Sequence, residues 1–203
     1  PESHPLNFHI LEEVGFFGVA NLRHLKVDHA LVTTLVERWI PKTHTFHFPT
    51  GECTITLEDV ALQLDLRVDG LAVIGPILYD WEDTCFTYLG VMPVKGESLI
   101  GSMIKLKWLR ENMLELLEEP SQEELHAHCR AYILGLIRGV LMPDKTGNKV
   151  HLVYLSLLIN LIRTRRYSWG STCLAMLYRE MCKATDVTSR IMGGCASLLQ
   201  SWA

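Results

Sequence analysis

The chain has 203 residues, of which 48% are hydrophobic and 21% are charged, and its net charge is −4. This composition is typical of a globular protein and excludes a disordered chain. The negative charge argues against a dominant surface for nucleic-acid phosphates and leaves only a local basic patch open. The longest apolar run, 152–162, is shorter than the roughly 20 residues that cross a bilayer, and the polar N-terminus predicts no signal sequence. We therefore expect no association with a membrane.

The first quarter of the chain predicts two capped helices. Asn7 can cap a short helix that stops at Gly15, because glycine readily ends a helix. Asp28 can cap a second helix, whose apolar stripe reaches Trp39. Pro41 prevents this helix from continuing.

A change of period after the second helix predicts a β-hairpin at about residues 44–57. Two phenylalanines alternate with polar residues before the turn P-T-G-E, and apolar residues alternate with threonines after it. Two alternating runs around a glycine-containing loop are typical of a hairpin. Thr56 then predicts a helix start, with Asp59 in the capping-box position. The apolar run 71–74 predicts one further short strand.

The rest of the chain predicts helices, so the fold class is mainly α, a compact helical domain with a small hairpin. Residues 76–97 predict mostly loop with one short helix near 83–89. The predicted helices after this loop cover 98–118, a capping-box helix from Ser121 that ends before Pro143, an apolar helix at 150–163 in the centre of the core, a helix capped by Ser168 or Ser171 that runs through Cys182, and a last helix at about 187–203. The last helix has no stop signal. We therefore expect residues 1–203 to form one domain that is a fragment of a larger one.

The cysteines predict a reduced protein. Six of them are scattered along the chain without a C-x-x-C pair, mostly inside apolar helical patterns. This distribution favours buried free thiols over a disulfide scaffold.

His44, His47 and Cys53 form the most metal-like group in the sequence. Their residue types suit zinc, and a hairpin could bring them together. No fourth ligand is evident, and alternation places His47 on the face opposite Phe46. We therefore interpret the group as a polar hairpin face with a core thiol, and we predict neither a metal nor another cofactor.

A basic and aromatic segment is the predicted partner-binding site. Arg163, Arg165 and Arg166 precede Tyr167 and Trp169, and arginines beside aromatic rings can stack on bases or bind an acidic partner. The same arginines can also complement the dipole at the end of a helix.

No catalytic motif is recognisable in the chain. The patterns G-x-S-x-G, H-E-x-x-H, G-x-x-x-x-G-K-[ST] and G-x-G-x-x-G are absent, so the residues predict neither a nucleophile nor a phosphate-binding loop. The segment P-D-K-T-G-N at 143–148 is too short for a calcium loop and lacks its closing glutamate, and we interpret it as a turn. We therefore predict no catalytic residues.

The stretch 39–70 resembles the plant mobile domain family. It reads W-I-P-K-T-H-T-F-H-F-P-T-G-E-C-T-I-T-L-E-D-V-A-L-Q-L-D-L-R-V-D-G. Further segments similar to the family are K-W-L-R at 107–110, R-A-Y-I-L at 130–134, M-P-D-K-T-G-N-K-V-H-L at 142–152, Y-S-W-G-S at 167–171, L-Y-R at 177–179 and I-M-G-G-C at 191–195. The resemblance therefore covers nearly the whole chain.

The resemblance implies a nuclear plant protein that acts in transposon silencing, gene expression, genome stability and meristem maintenance. It implies a phosphatase-7-like protein and related plant mobile domain proteins as partners, and association with nucleic acid or chromatin as a further expectation. The phosphatase metal motifs G-D-x-H-G, G-D-x-x-D-R and G-N-H-E are absent from this chain. Our main hypothesis is a non-enzymatic protein-interaction module. The alternatives are a nucleic-acid-binding domain of transposon origin, and a degenerate enzyme with a polar cleft near the hairpin and the segment 163–169.

Overall fold

The computed structural model of the chain describes residues 7–22, 26–76, 79–112, 116, 119–144, 147–186 and 192–203. Within these ranges the fold is mainly α, as predicted. The helices are α1 (Asn7–Val14), α2 (Phe17–Leu22), α3 (His29–Glu37), α4 (Leu57–Leu64), α5 (Trp81–Leu89), α6 (Leu106–Glu111), α7 (Gln122–Leu136), a π-helix (Ile137–Leu141), α8 (Val153–Leu158), α9 (Leu161–Thr164), α10 (Trp169–Ala184) and α11 (Ala196–Trp202). The strands are β1 (Trp39–Ile40), β2 (Thr45–Phe48), β3 (Gly51–Cys53), β4 (Leu99–Ile100), β5 (Met103–Lys105) and β6 (Lys149–His151). They form two antiparallel sheets, in the orders β1-β2-β3 and β4-β5-β6.

The predicted hairpin is confirmed as β2 and β3, with Phe46 opposite Cys53 and His47 opposite Glu52. It spans 45–53 and not 44–57, because Gly51 and Glu52 of the predicted turn belong to β3 and this strand ends at Cys53. Strand β1, which was not predicted, pairs with β2 on its other side. The predicted capping box is also confirmed. The Thr56 hydroxyl accepts a bond from the Asp59 amide at 3.2 Å, and the Asp59 carboxylate accepts one from the Thr56 amide at 2.7 Å. The chain therefore passes from β3 to α4 through only residues 54–56, and the capping box gives the free amides at the start of α4 their hydrogen-bond partners.

Other predicted helix ends are confirmed too. Asp28 caps α3, and Ser121 forms a capping box with Glu124 at the start of α7. Gly15 ends α1 with φ +77°, a backbone conformation that favours glycine. Helix α2, which was not predicted, lies so close to α4 that a Cβ on Gly18 would be 2.6 Å from the Leu64 carbonyl oxygen.

The predicted helix at 98–118 is wrong over most of its described part. Strands β4 and β5 form a hairpin there, with Ile100 opposite Met103 and only Gly101 and Ser102 between them. Gly101 has φ +61°, which suits a tight hairpin turn. Strand β6 pairs with β5 from more than forty residues away, placing Val150 opposite Ile104. Only α6 is helical in the described part of this stretch, and residues 113–115 and 117–118 lie outside the described ranges.

Three further predictions need correction. The run 71–74 is not a strand, because only Leu71 makes a single parallel bridge, to Tyr167. The helix predicted at 150–163 is divided into β6, α8 and α9. In the last predicted helix only α11 is helical among the described residues, 187–191 lie outside them, and Gly194 is in a loop with φ +84°.

The core is most tightly enclosed around the second half of α7. Residues 129–134 are all buried, as are Leu136 and Ile137 at the junction with the π-helix. Helices α1, α5 and α8 pack against α7. Within the described part of the chain, no helix is both long enough and apolar enough to cross a membrane.

Candidate binding surface

The predicted basic segment lies at the junction of α9 and α10, and its two kinds of side chain are separated. The arginines at 163, 165 and 166 are exposed. Tyr167 is 8% exposed and Trp169 only 1%. The Trp169 indole N–H donates to the Thr164 carbonyl at 3.0 Å, and its ring packs on Phe16. The expected stacking of bases on these rings does not fit this arrangement, because the rings belong to the core.

The surroundings of Arg165 carry both signs of charge. A cleft of about 350 Å³ beside it is also lined by Glu12, Asp65 and Asp69, and Asp69 is ion-paired with Arg67. Among the described residues, no carboxylate forms an ion pair with the three arginines of the segment. A binding role for the segment therefore remains a prediction.

The three metal candidates do not converge. His47 and Cys53 lie on opposite faces of the hairpin, because Cys53 faces Phe46 across the strands and His47 faces Glu52. The described residues include no group of three or more His, Cys, Asp or Glu side chains that could hold a metal ion. The expectation of a core thiol at Cys53 is wrong, since this cysteine lies on the edge strand and is exposed.

The third candidate, His44, belongs to an aromatic cluster that joins the hairpin to α10. The His44 ring stacks on Trp39 with centroids 5.9 Å apart, and it lies 5.5 Å from the Tyr178 ring. The Tyr178 hydroxyl donates to the Ile55 carbonyl and is 2.7 Å from the Thr54 hydroxyl. Two segments with family resemblance, T-H-T and L-Y-R, therefore meet although they are more than 130 residues apart in the chain.

A shallow concavity of about 600 Å³ opens at this junction, and we call it the hairpin–α10 basin. Its lining comprises His44, Ala175, Tyr178, Arg179, Cys182 and Lys183. The α10 residues are three or four positions apart and so share one helix face. His44 turns toward this face through a left-handed backbone, with φ +55°. Its amide donates to the Ile40 carbonyl at 2.9 Å, and its carbonyl accepts from the Thr54 hydroxyl at 2.7 Å.

The hairpin–α10 basin presents one unpaired guanidinium. Arg179 is exposed, and no described carboxylate forms an ion pair with it. Lys183 is 44% exposed and is ion-paired with Glu180, which is 2% exposed. Sequence reasoning missed this site, and the available signal was the spacing of Arg179 and Lys183 on one face of a predicted helix. These donors can hold an anionic group.

Two other arginines, Arg130 and Arg138, use their guanidinium donors for hydrogen bonds within the fold. Arg130 is buried, and its guanidinium donates to the carbonyls of Leu158, Ile159 and Tyr88 at 3.0, 3.1 and 3.3 Å. Burial lowers the pKa of Arg130 from its ordinary value. The first two carbonyls lie at the end of α8, where a helix leaves its carbonyls without partners. This arginine therefore caps α8 from inside the core.

Arg138, on the π-helix, holds the loop that was predicted as a turn. It donates to the backbone carbonyls of Lys149 and Asp144 at 2.9 Å each. It also forms an ion pair with the Asp144 carboxylate at 3.3 Å. Residues 145 and 146 of this loop lie outside the described ranges. These contacts show that Arg138 and Asp144 stabilise the conformation of the loop.

The cysteines are free, as predicted, and four of the six are buried. Burial raises the pKa of both Cys85 and Cys129 to about 12. Thiols with such a pKa stay protonated at neutral pH and are poor nucleophiles. Cys53 and Cys182 depart from the expectation of burial, being exposed and partly exposed.

Comparison with known proteins identifies the family. The model of the plant mobile domain matches residues 15–203. The chain is 46% identical to the Serine/threonine-protein phosphatase 7 long form homolog of Arabidopsis thaliana, over 98% of this chain and 15% of that protein. It is 36% identical to Protein MAINTENANCE OF MERISTEMS of the same plant, over 96% of this chain and 41% of that protein. Thus the chain spans less than half the length of either relative. No solved structure matches it. The chain belongs to the plant mobile domain family.

Proposed function

We propose that this plant mobile domain is a non-enzymatic protein-interaction module of a nuclear plant protein. It acts in transposon silencing, control of gene expression, genome stability and meristem maintenance, in complex with a phosphatase-7-like protein. Relatives named for meristem maintenance and for a phosphatase 7 long form homolog support the proposed process and partner.

The observation that carries the proposal is that the arginines fall into two groups, one bonded within the fold and one exposed at the surface. Arg130 and Arg138 direct their donors at backbone carbonyls inside the fold. Arg179 and the arginines of the basic segment face solvent without an ion pair among the described residues. A rigid framework with unpaired surface cations is suited to binding an acidic partner surface.

The proposed complex can be tested with purified proteins. Isothermal titration of the chain with an Arabidopsis phosphatase-7-like protein should give saturable binding. A fluorescent fusion of the full-length plant protein should accumulate in the nucleus, which tests the localisation. Absence of binding at protein concentrations of about 100 μM, far above the Kd of a specific complex, would reject this partner.

Direct binding to DNA is the second candidate, and the exposed arginines at 163, 165 and 166 favour it. Neutralising phosphates releases counterions, so the affinity should fall steeply with salt. The triple substitution of these arginines by alanine should then abolish binding to a duplex in a fluorescence anisotropy titration. Binding that is absent or independent of salt would reject this candidate.

A further inference from the structure

We infer that the hairpin–α10 basin binds the carboxylate of an aspartate or glutamate in an acidic segment of a partner protein. The inference rests on the proposed function, because it names the chemistry of the partner that the interaction module would recognise. It assigns the contact to α10 and the hairpin, away from the basic segment at 163–169.

Charge complementarity is the first support. Arg179 has no ionic partner among the described residues, and its planar guanidinium can donate two parallel hydrogen bonds to one carboxylate. The only described carboxylate bonded to a basin cation is that of Glu180, which is buried beneath Lys183. One ammonium N–H is used in that pair, and the others remain available. An incoming carboxylate therefore meets donors that the fold leaves unused.

The shape of the hairpin–α10 basin is the second support. The rings of His44 and Tyr178 form an aromatic floor whose centroids are 5.5 Å apart. The Tyr178 hydroxyl donates to the Ile55 carbonyl, and the Trp39 indole N–H donates to the Cys182 sulfur at 3.3 Å. These bonds fix the floor before any ligand arrives, which reduces the ordering cost of binding. Aromatic rings beside an arginine suit an aliphatic or aromatic neighbour of the acidic residue.

The backbone of His44 is the third support. A left-handed conformation in a residue other than glycine is uncommon and is often found at binding sites. Here φ is +55°, and the bonds to Ile40 and Thr54 hold it. The result is that the imidazole is held against Tyr178, in the aromatic floor of the basin that Arg179 also lines.

Nucleic acid fits this site less well than a protein. Glu180 already balances the charge of Lys183, whose remaining N–H groups can still donate hydrogen bonds. Arg179 is therefore the one lining cation whose charge has no anion among the described residues. Affinity for a duplex grows with the number of phosphates that are neutralised. A single arginine above an aromatic floor instead suits one acidic side chain with apolar neighbours.

The experiment is a nuclear magnetic resonance titration of the full 203-residue chain labelled with nitrogen-15. The probe is a short acetylated peptide that contains two glutamates and two leucines. It should shift the signals of Arg179, Cys182 and Lys183 saturably, at a Kd of about 1 mM for so small an interface. A peptide with lysine in place of glutamate should give no saturable shift at these residues.

Two variants make the result specific. Arg179→Glu should weaken binding of the glutamate peptide about ten-fold or more, because a like charge replaces the donor. Arg110→Glu is the matched control. Arg110 is an exposed arginine on α6 whose Nε–H donates within its own helix, and its reversal should leave the Kd unchanged. The amide spectrum of each variant verifies that it is folded.

The outcomes separate this inference from the proposed function. Absence of saturable shifts at the basin, or equal weakening by both variants, would overturn the inference. Stronger shifts with a phosphoserine peptide or with a DNA duplex would also overturn it, in favour of a phosphate ligand. The complex with the phosphatase-7-like protein is measured separately. Its formation without any effect of Arg179→Glu would refute only the inference, and its absence would refute only that partner.

Discussion

The interior around α7 and the face formed by the hairpin and α10 use the same residue type in opposite ways. Arg130 in the interior donates to three backbone carbonyls and is 9% exposed. Arg179 on the outer face is exposed and has no ion pair among the described residues. Both lie in segments that resemble the family, R-A-Y-I-L and L-Y-R. A family motif can therefore hold the framework together in one region and leave a charged side chain unpaired at the surface in another.

The largest expected effect comes from removing the interior arginine. Arg130→Met keeps much of the side-chain volume but leaves the carbonyls of Leu158, Ile159 and Tyr88 without their donor. Each buried acceptor that loses its partner costs about 1 kcal/mol or more, so the free energy of unfolding should fall by about 3 kcal/mol. Urea denaturation followed by circular dichroism measures it.

Arg110→Met is the surface control for this experiment. Its expected change lies within about 0.5 kcal/mol, as for most surface substitutions. Equal effects of the two variants would contradict the division between framework and surface arginines.

The close contact between α2 and α4 gives the next largest effect. Gly18→Ala should lower the free energy of unfolding by about 2 kcal/mol, since overpacking displaces the backbone. The added Cβ would lie 2.6 Å from the Leu64 carbonyl oxygen. Gly135→Ala in α7 is the control, because its Cβ would meet nothing within 4 Å. It should stabilise the protein by up to about 1 kcal/mol, through helix propensity alone. Destabilisation of the same size in both variants would show that the close contact of Gly18 with Leu64 is not the cause of the loss.

The capping box at the start of α4 should have a smaller effect. Thr56→Ala should cost about 1 kcal/mol. The hydrogen bonds from Thr56 lower the pKa of Asp59. In the wild type the stability from this carboxylate is present above its unfolded pKa, about 3.9, and is lost as the pH falls through its lower folded pKa. The difference between the thermal midpoints of the wild type and Thr56→Ala should therefore become smaller from pH 7 to pH 2, because the bond from the Thr56 hydroxyl to the ionised Asp59 carboxylate is lost at acid pH. The part that comes from the Asp59 amide, which donates to the Thr56 hydroxyl, should remain. A difference that stays constant with pH would contradict the role of Asp59.

Tyr178→Phe probes the border between the two regions. It removes the hydroxyl that contacts Thr54 and Ile55, while the ring and its stacking remain. The free energy of unfolding should fall by about 1 kcal/mol, the usual net value of a hydrogen bond. In the titration with the glutamate peptide the Kd should rise as well, because the aromatic floor is less well fixed. A loss of stability with an unchanged Kd would show that the Tyr178 hydroxyl stabilises the fold and does not contribute to binding.

The sequence predicts the parts of the fold whose causes are local. The hairpin predicted at about 44–57 forms at 45–53, and the caps predicted at Asp28, Thr56 and Ser121 all form, because each is determined by neighbouring residues. The helix predicted at 98–118 fails for the opposite reason. Ile104 is paired with Val150, a partner that no local pattern reveals. Long-range pairing decides the structure there, although the turn at Gly101 was a readable signal.

The candidate site shows the same limit. Arg179 and His44 are more than 130 residues apart, and only the folded chain places them on one concavity. The predicted site at 163–169 combined arginines with aromatic rings because they are adjacent in sequence. The fold separates them, burying Trp169 against Phe16 while the arginines stay exposed. Adjacency in sequence is a weak guide where a helix begins, since successive side chains there point in different directions.

The most direct test of the account measures stability and partner binding on one variant. Arg179→Glu should keep the thermal midpoint of the wild type, because the side chain has no ionic contact among the described residues. Its affinity for the phosphatase-7-like protein, measured by isothermal titration, should fall about ten-fold or more. A lowered midpoint together with unchanged affinity would contradict the claim that this face of the domain exists to bind a partner.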